Sequence, residues 1–176
     1  MITIKKKQNY DKNKMKKGGQ MSEAENFLEA LKAKTGDEMG LTEWYCYDQT
    51  AVSTHGANSG DDGPIHSDPA YCKAHTPFGG TIVQGSLLLS TFTRMAKSLV
   101  WPPGDMVFRL SYGFNKVRII QPVKTGQNFR ARFHLKDSEP KGEGAVLVTL
   151  QASLEAEGTP GAVLVAEWLA YLKFGS

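Results

Sequence analysis

The stretch that most restricts how this chain can fold is the apolar run at residues 81–101. Ile82, Leu88, Phe92, Met95 and Leu99 follow a helical three-or-four spacing, and Leu87 and Leu89 widen the stripe. Ser86, Ser90, Thr91 and Thr93 are small enough to admit other backbones. A helix that is apolar on most sides is buried, so the rest of the chain must supply a surface that closes around it. Pro102-Pro103-Gly104 ends the run. Beyond it the sequence is strand-like. Residues 106–112 alternate, 114–120 continue the pattern, and 122–126 make a turn. Longer segments rich in Val, Leu, Phe and Tyr follow at 128–136, 145–156 and 163–174, with Glu139-Pro140-Lys141-Gly142 as one of the turns between them. Successive strands after a buried helix predict an α+β fold, an antiparallel sheet with the helix on one face.

Ahead of the helix, Ser22 and Glu25 form a capping box, Phe27, Leu28 and Leu31 share a face, and Gly36 supplies the stop. Residues 43–47 are aromatic and extended, and Asp48 can cap a short helix over 50–56. Asn58-Ser59-Gly60 reads as loop, and Pro64 holds Gly63 extended. Asp68-Pro69 is an N-cap with proline at the first helical position, predicting a helix over 69–75. Residues 76–80 break it.

With 176 residues, the chain is expected to hold one domain, over residues 21–176. No apolar run approaches the roughly 18 residues of a membrane span, and there is no signal-peptide hydrophobic region. A cytoplasmic protein with two free thiols, Cys46 and Cys72, is expected. The net charge of +3 conceals a division: residues 1–20 hold seven lysines and one aspartate, contribute +6, and leave −3 for the remainder. The basic character therefore belongs to a tail of disorder-like composition and does not point to nucleic acid. Met21 is the expected native start, since Lys17-Gly18-Gly19-Gln20 is what a purine-rich ribosome-binding site gives when translated in frame.

The chemistry concentrates just before the helix. Asp61 and His66 lie five residues apart on a segment of turn formers, followed by Phe78-Gly79-Gly80 and then Gln84-Gly85. Gly60-Asp61-Asp62-Gly63-Pro64-Ile65-His66-Ser67-Asp68 and Phe78-Gly79-Gly80-Thr81-Ile82-Val83-Gln84-Gly85 resemble the two signature motifs of the MaoC-like dehydratases, the family of (R)-specific enoyl-CoA hydratases. Tyr112 to Arg118 is similar to the strand opening of the NodN-like branch. Gly63 stands where the family usually has asparagine or glutamine, and Gln84 where it usually has histidine.

The resemblance implies a hotdog fold, an antiparallel sheet wrapped around one long helix and paired into dimers. It implies a cofactor-independent hydro-lyase acting on acyl-CoA or a related thioester. Asp61 and His66 would be the acid/base pair and the Gly85 N–H an oxyanion donor. Phe78, Gly80, Ile82 and Thr93 would meet the substrate. A second reading stays open: a hotdog protein that binds an acyl thioester without turning it over, supported by the departures at Gly63 and Gln84. A third, a thioesterase, fits less well because such enzymes lack this Asp-x-x-x-x-His signature. Asp62 and Asp68 read as turn and cap residues. His55, His75 and His134 are scattered, so no metal is expected. Lys116, Arg118, Arg130 and Arg132 could meet CoA phosphates, but alternation on strands makes a solvated face the default.

Overall fold

The computed structural model describes residues 21–175. The expectations for residues 1–20 lie outside the described residues.

The chain opens with α1 (Glu23–Lys32), whose capping box is complete: the Ser22 hydroxyl accepts from the Glu25 amide, and the Glu25 carboxylate accepts from the Ser22 amide. Phe27, Leu28 and Leu31 are buried on one face. Ser22→Ala is expected to cost about 1 kcal/mol, read as a lower urea midpoint at unchanged slope.

A short strand, β1 (Glu38–Leu41), follows and pairs antiparallel with residues 132–134 far along the chain. Sequence reading placed extended structure only at residues 43–47. Tyr45 does make an isolated bridge to Phe129, but the strand lies earlier. Four residues carry too little periodicity to announce a strand, and its partner is almost a hundred positions away.

Next come α2 (Gln49–Ser59), α3 (Pro64–Ser67) and α4 (Pro69–His75). The Asp48 side chain caps α2 through the Ala51 amide at 2.8 Å, as expected. Asn58 and Ser59 continue the helix instead of forming a loop, and Gly60 closes it in the left-handed region (φ +76°). Asp68 caps α4 through the Tyr71 amide at 2.9 Å.

The central helix, α5 (Gly85–Met95), is shorter than the apolar run. Residues 81–84 are extended because Val83 N–H donates to Val123 O at 2.8 Å and Ile82 bridges Lys124. A single 3-10 turn over Ala96–Ser98 follows α5. The chain is then extended before Pro102, whose ring disfavours helical backbone at Trp101.

Four long strands complete the sheet: β2 (Met106–Ile119), β3 (Phe129–Pro140), β4 (Ala145–Ala156) and β5 (Ala162–Phe174). The two expected segments at 106–120 are one strand with irregular register, and Lys116 takes a left-handed conformation at one irregularity. β3 runs through Glu139 and Pro140, which sequence reading assigned to the turn. The order is β1-β3-β4-β5-β2, and every pairing is antiparallel.

Strand alternation selects the inner face. Phe129, Ala131, Phe133 and Leu135 of β3 are buried, while Arg130, Arg132 and His134 between them are not. Trp168, Ala170 and Leu172 of β5 are buried as well. Onto this face α5 lays Leu88, Phe92 and Met95, so the sheet and one central helix share a single core, the hotdog layout in the α+β class. On the outward side, Arg130 pairs with Glu155, Arg132 with Glu38, and Lys116 with Glu167 at 2.8 Å. These are cross-strand ion pairs, as the solvated-face reading expected. Among the described residues, no helix is long and apolar enough to cross a membrane. Cys46 and Cys72 are both free thiols.

Candidate active site

Asp61 leaves the left-handed cap of α2, and α3 turns the chain so that His66 faces back toward it. Pro64 starts α3 with its φ already set for a helix, and the Ser67 hydroxyl ties the turn to the carbonyls of Asp62 and Gly63 at 3.0 and 3.1 Å. His66 Nε2 and Asp61 Oδ1 stand 3.7 Å apart. The imidazole is nearly buried, with 10% of its side chain exposed, whereas the carboxylate is 52% exposed. The two residues singled out from sequence are thus brought together at the edge of solvent.

The imidazole has a defined orientation. His66 Nδ1 lies 2.7 Å from Ile82 O, and a carbonyl can only accept, so Nδ1 carries the proton. Nε2 then presents its lone pair toward Asp61 in the neutral ring. Ile82 N–H in turn donates to Ile65 O at 3.0 Å. This explains why residues 81–84 must be extended: had they been helical, Ile82 O would be directed along the helix and not at His66.

Gly85 is the first residue of α5, where a helix leaves its N–H groups without intrahelical partners. A Cβ at Gly85 would come within 2.2 Å of Ile119 Cδ1 on β2, so glycine here has a packing role too. Phe78 and Gly80, both half-buried, lie in the turn between α4 and the extended segment, with Gly79 at φ +73°. Ile82 touches the pair through its backbone. Thr93 is exposed on α5, eight residues and so about 12 Å along the axis from Gly85, and is not drawn toward Asp61 or His66.

Sequence assigns no site role to the other residues here, Gln84 standing out only as a departure from the motif and His55 only as a scattered histidine. His55 Nε2 meets Ser86 Oγ at 2.9 Å, joining α2 to the first turn of α5. Gly56 leaves no room for a side chain: a Cβ would sit 3.0 Å from Asp61 O and 3.2 Å from Gln84 Nε2. Gln84 is fully buried. Deeper along α5, Tyr47 Oη and Thr91 Oγ1 are 2.8 Å apart. Burial raises the Tyr47 phenol above its ordinary value, against the smaller opposing effect of the Thr91 hydrogen bond, so it is a neutral core group. Among the described residues, no group of three or more His, Cys, Asp or Glu side chains could hold a metal ion.

Comparison with known proteins supplies the evolutionary context. The chain is 32% identical over 147 residues to nodulation protein N of Rhizobium leguminosarum bv. viciae, covering 84% of this chain and 91% of that protein. It is 34% identical over 137 residues to 3-hydroxyacyl-thioester dehydratase Z of Mycobacterium tuberculosis, covering 78% and 89%. Its fold matches the (R)-hydratase from A. caviae involved in PHA biosynthesis with a TM-score of 0.61 at 21% identity, over 80% of this chain and 96% of that one. The family profile described as MaoC like domain matches residues 31–156, a span that takes in Asp61, His66, Gly85 and most of the sheet behind them. On these grounds the chain belongs to the MaoC-like domain family.

Proposed function

We propose that residues 21–176 form a hydro-lyase that reversibly adds water to a trans-2-enoyl thioester, giving the (R)-3-hydroxyacyl thioester. The observation that carries this reading is the Asp61–His66 pair, 3.7 Å apart, with the His66 tautomer set by Ile82 O. That separation is too long for a direct hydrogen bond and suits one water held by both groups. One of the two takes a proton from the water as its oxygen bonds to C3, and the pair hands that same proton on to C2, so that water adds across the double bond and both groups end as they began. The reverse sequence expels water. Each such acid/base role contributes roughly 10²–10⁴-fold. Charge that develops on the thioester oxygen is met by the Gly85 N–H, aided by the dipole of α5. A donor of this kind is typically worth about 2.7–4 kcal/mol. Phe78, Gly80 and Ile82 border the approach to the pair, and Thr93 lies farther down the same helix, where a longer acyl chain would extend.

The substrate class is acyl-CoA or a related acyl thioester, in keeping with the 3-hydroxyacyl-thioester dehydratase relative, and the setting is cytoplasmic. A hydration assay on crotonyl-CoA and a longer trans-2-enoyl-CoA tests the proposal. Loss of the conjugated enoyl absorbance is the expected result. Release of free thiol instead would make the protein a thioesterase, and saturable binding with neither signal would make it a carrier.

The working unit is a homodimer joined along β2. Among the described residues this strand pairs only with β5, at the end of the sheet, and Val107, Phe108, Leu110 and Tyr112 on it are 64, 45, 51 and 52% exposed. Residues 106–112 of this strand are apolar or uncharged apart from Arg109, with Lys116 and Arg118 toward its far end, so its first half is the part open as a template for another strand. Ile119 on the same strand lies against Gly85, which sets the seam beside the site. The double variant Val107→Lys/Leu110→Lys is expected to sediment as a monomer while the unaltered protein sediments as a dimer. A monomeric unaltered protein would refute the seam.

A further inference from the structure

Two buried or half-buried carboxamides converge on the backbone of the candidate pair, one on each member. Gln84 Nε2 donates to Asp61 O at 3.1 Å and to Val52 O of α2 at 3.0 Å. Gln49 Nε2 donates to His66 O at 2.7 Å and to Ser53 Oγ at 3.2 Å. We propose that Gln49 and Gln84 are positioning residues, a clamp that fixes the Asp61–His66 separation by holding one main-chain carbonyl each. The kinetic part of this proposal rests on the hydratase reading above; the geometric part does not.

The anchoring of Gln49 is what makes it more than an incidental contact. Its Oε1 accepts from Thr81 Oγ1 at 2.6 Å, and Thr81 Oγ1 lies 2.9 Å from Thr125 Oγ1. Thr81 O in turn accepts from the Thr125 amide at 2.9 Å. Thr81 directly precedes Ile82, whose carbonyl takes the His66 ring proton. The backbone and the ring of His66 are therefore both referenced to the same two residues, which are themselves tied to the strand-like segment at 123–125. Asp61 is referenced separately, to the residue that caps α5 and precedes Gly85.

Gln84 is poorly chosen for stability alone. It is fully buried, and among the described residues its Oε1 has no hydrogen-bond partner. An orphaned buried acceptor is destabilising, and an apolar side chain of similar volume would avoid it. What the carboxamide adds is two donors, one of which holds Asp61. Gly56 completes the fit, since its missing side chain lets Asp61 O and Gln84 Nε2 come close to α2. A neutral imidazole at this position, the family's usual residue, has a single N–H and could hold only one of the two carbonyls.

The test pairs a spectroscopic with a kinetic measurement on the whole chain, using Gln84→Met and Gln49→Met. In the carbonyl ¹³C spectrum, Gln84→Met is expected to move the Asp61 resonance and leave that of His66 in place, and Gln49→Met is expected to do the reverse. On a trans-2-enoyl-CoA, each variant is expected to lower kcat by tenfold or more with KM within twofold, because neither carboxamide is assigned a contact with substrate. Resonances that do not move, or kcat that stays unchanged when they do, would overturn the clamp, as would a loss confined to KM. If Gln84→Met does not fold, Gln84→Leu takes its place, and the half-buried Gln49 tests the His66 arm independently. A wild-type protein that hydrates no enoyl thioester would defeat the hydratase reading, while the carbonyl pattern would still decide the clamp.

Discussion

Replacing Asp61 by Asn, or His66 by Ala, is expected to lower hydration of a trans-2-enoyl thioester by two or more decades with little change in thermal stability. The magnitude follows from removing one acid/base group from a two-group site, each worth roughly 10²–10⁴-fold. The small stability change follows from exposure. The Asp61 side chain is half in solvent, and its 3.7 Å approach to His66 is too long to be a stabilising ion pair of consequence. His66 is the more embedded of the two, and its alanine variant loses the Nδ1–H bond to Ile82 O, so a modest fall in melting temperature accompanies it. The double variant is expected to be little worse than either single one, because two groups sharing one water act as a unit and their effects do not add. Turnover unchanged in Asp61→Asn would remove the pair from the mechanism, whatever the activity of the wild type.

The pair was legible in the sequence because Asp61 and His66 lie in a short motif resembling the MaoC-like signature; the turn chemistry around them is local and reads as a turn by itself. Pro64, Asp68 and Pro69 each act on their neighbours, and the structure uses Asp68 as the cap it resembles. β4 was also plain, since it is rich in Val, Leu and Ala and Gly/Glu turns bound it. What could not be read depends on partners far along the chain. Ile82 falls on the helical spacing of the apolar run, and it is Val123, forty positions later, that draws Val83 into an extended pairing. The same tertiary contact creates the acceptor for His66. Gln49 and Gly56 are ordinary residues in sequence and Gln84 shows there only as a departure from the motif; their contacts with the candidate pair emerge only when α2 is laid beside the loop that carries Asp61. The motif resemblance thus singled out the candidate groups, and long-range packing determines how they are held.

Phe92→Ala is expected to destabilise the protein by about 3–5 kcal/mol, a large part of the total stability of a typical domain. Phe92 is fully buried at the middle of α5. Its ring stands edge-on to Phe133 of β3 at 5.7 Å and tilted toward Phe114 of β2 at 6.4 Å, so it joins the central helix to two strands that are not neighbours in the sheet. Truncation removes the transfer free energy of the ring and leaves a cavity that these aromatic neighbours, fixed by the strands, cannot close. For a chain of this size the loss corresponds to a fall of roughly 6–20 °C in melting temperature. Phe92→Leu keeps most of the volume and should cost distinctly less than Phe92→Ala. The comparison matters for the site because α5 carries Gly85 at its first turn and follows directly on Gln84. A helix loosened at Phe92 lets both shift relative to Asp61, so residual activity in Phe92→Ala at low temperature should fall further than its folded fraction. If activity instead tracks the folded fraction, the first turn of α5 is held by the extended segment at 81–84 alone.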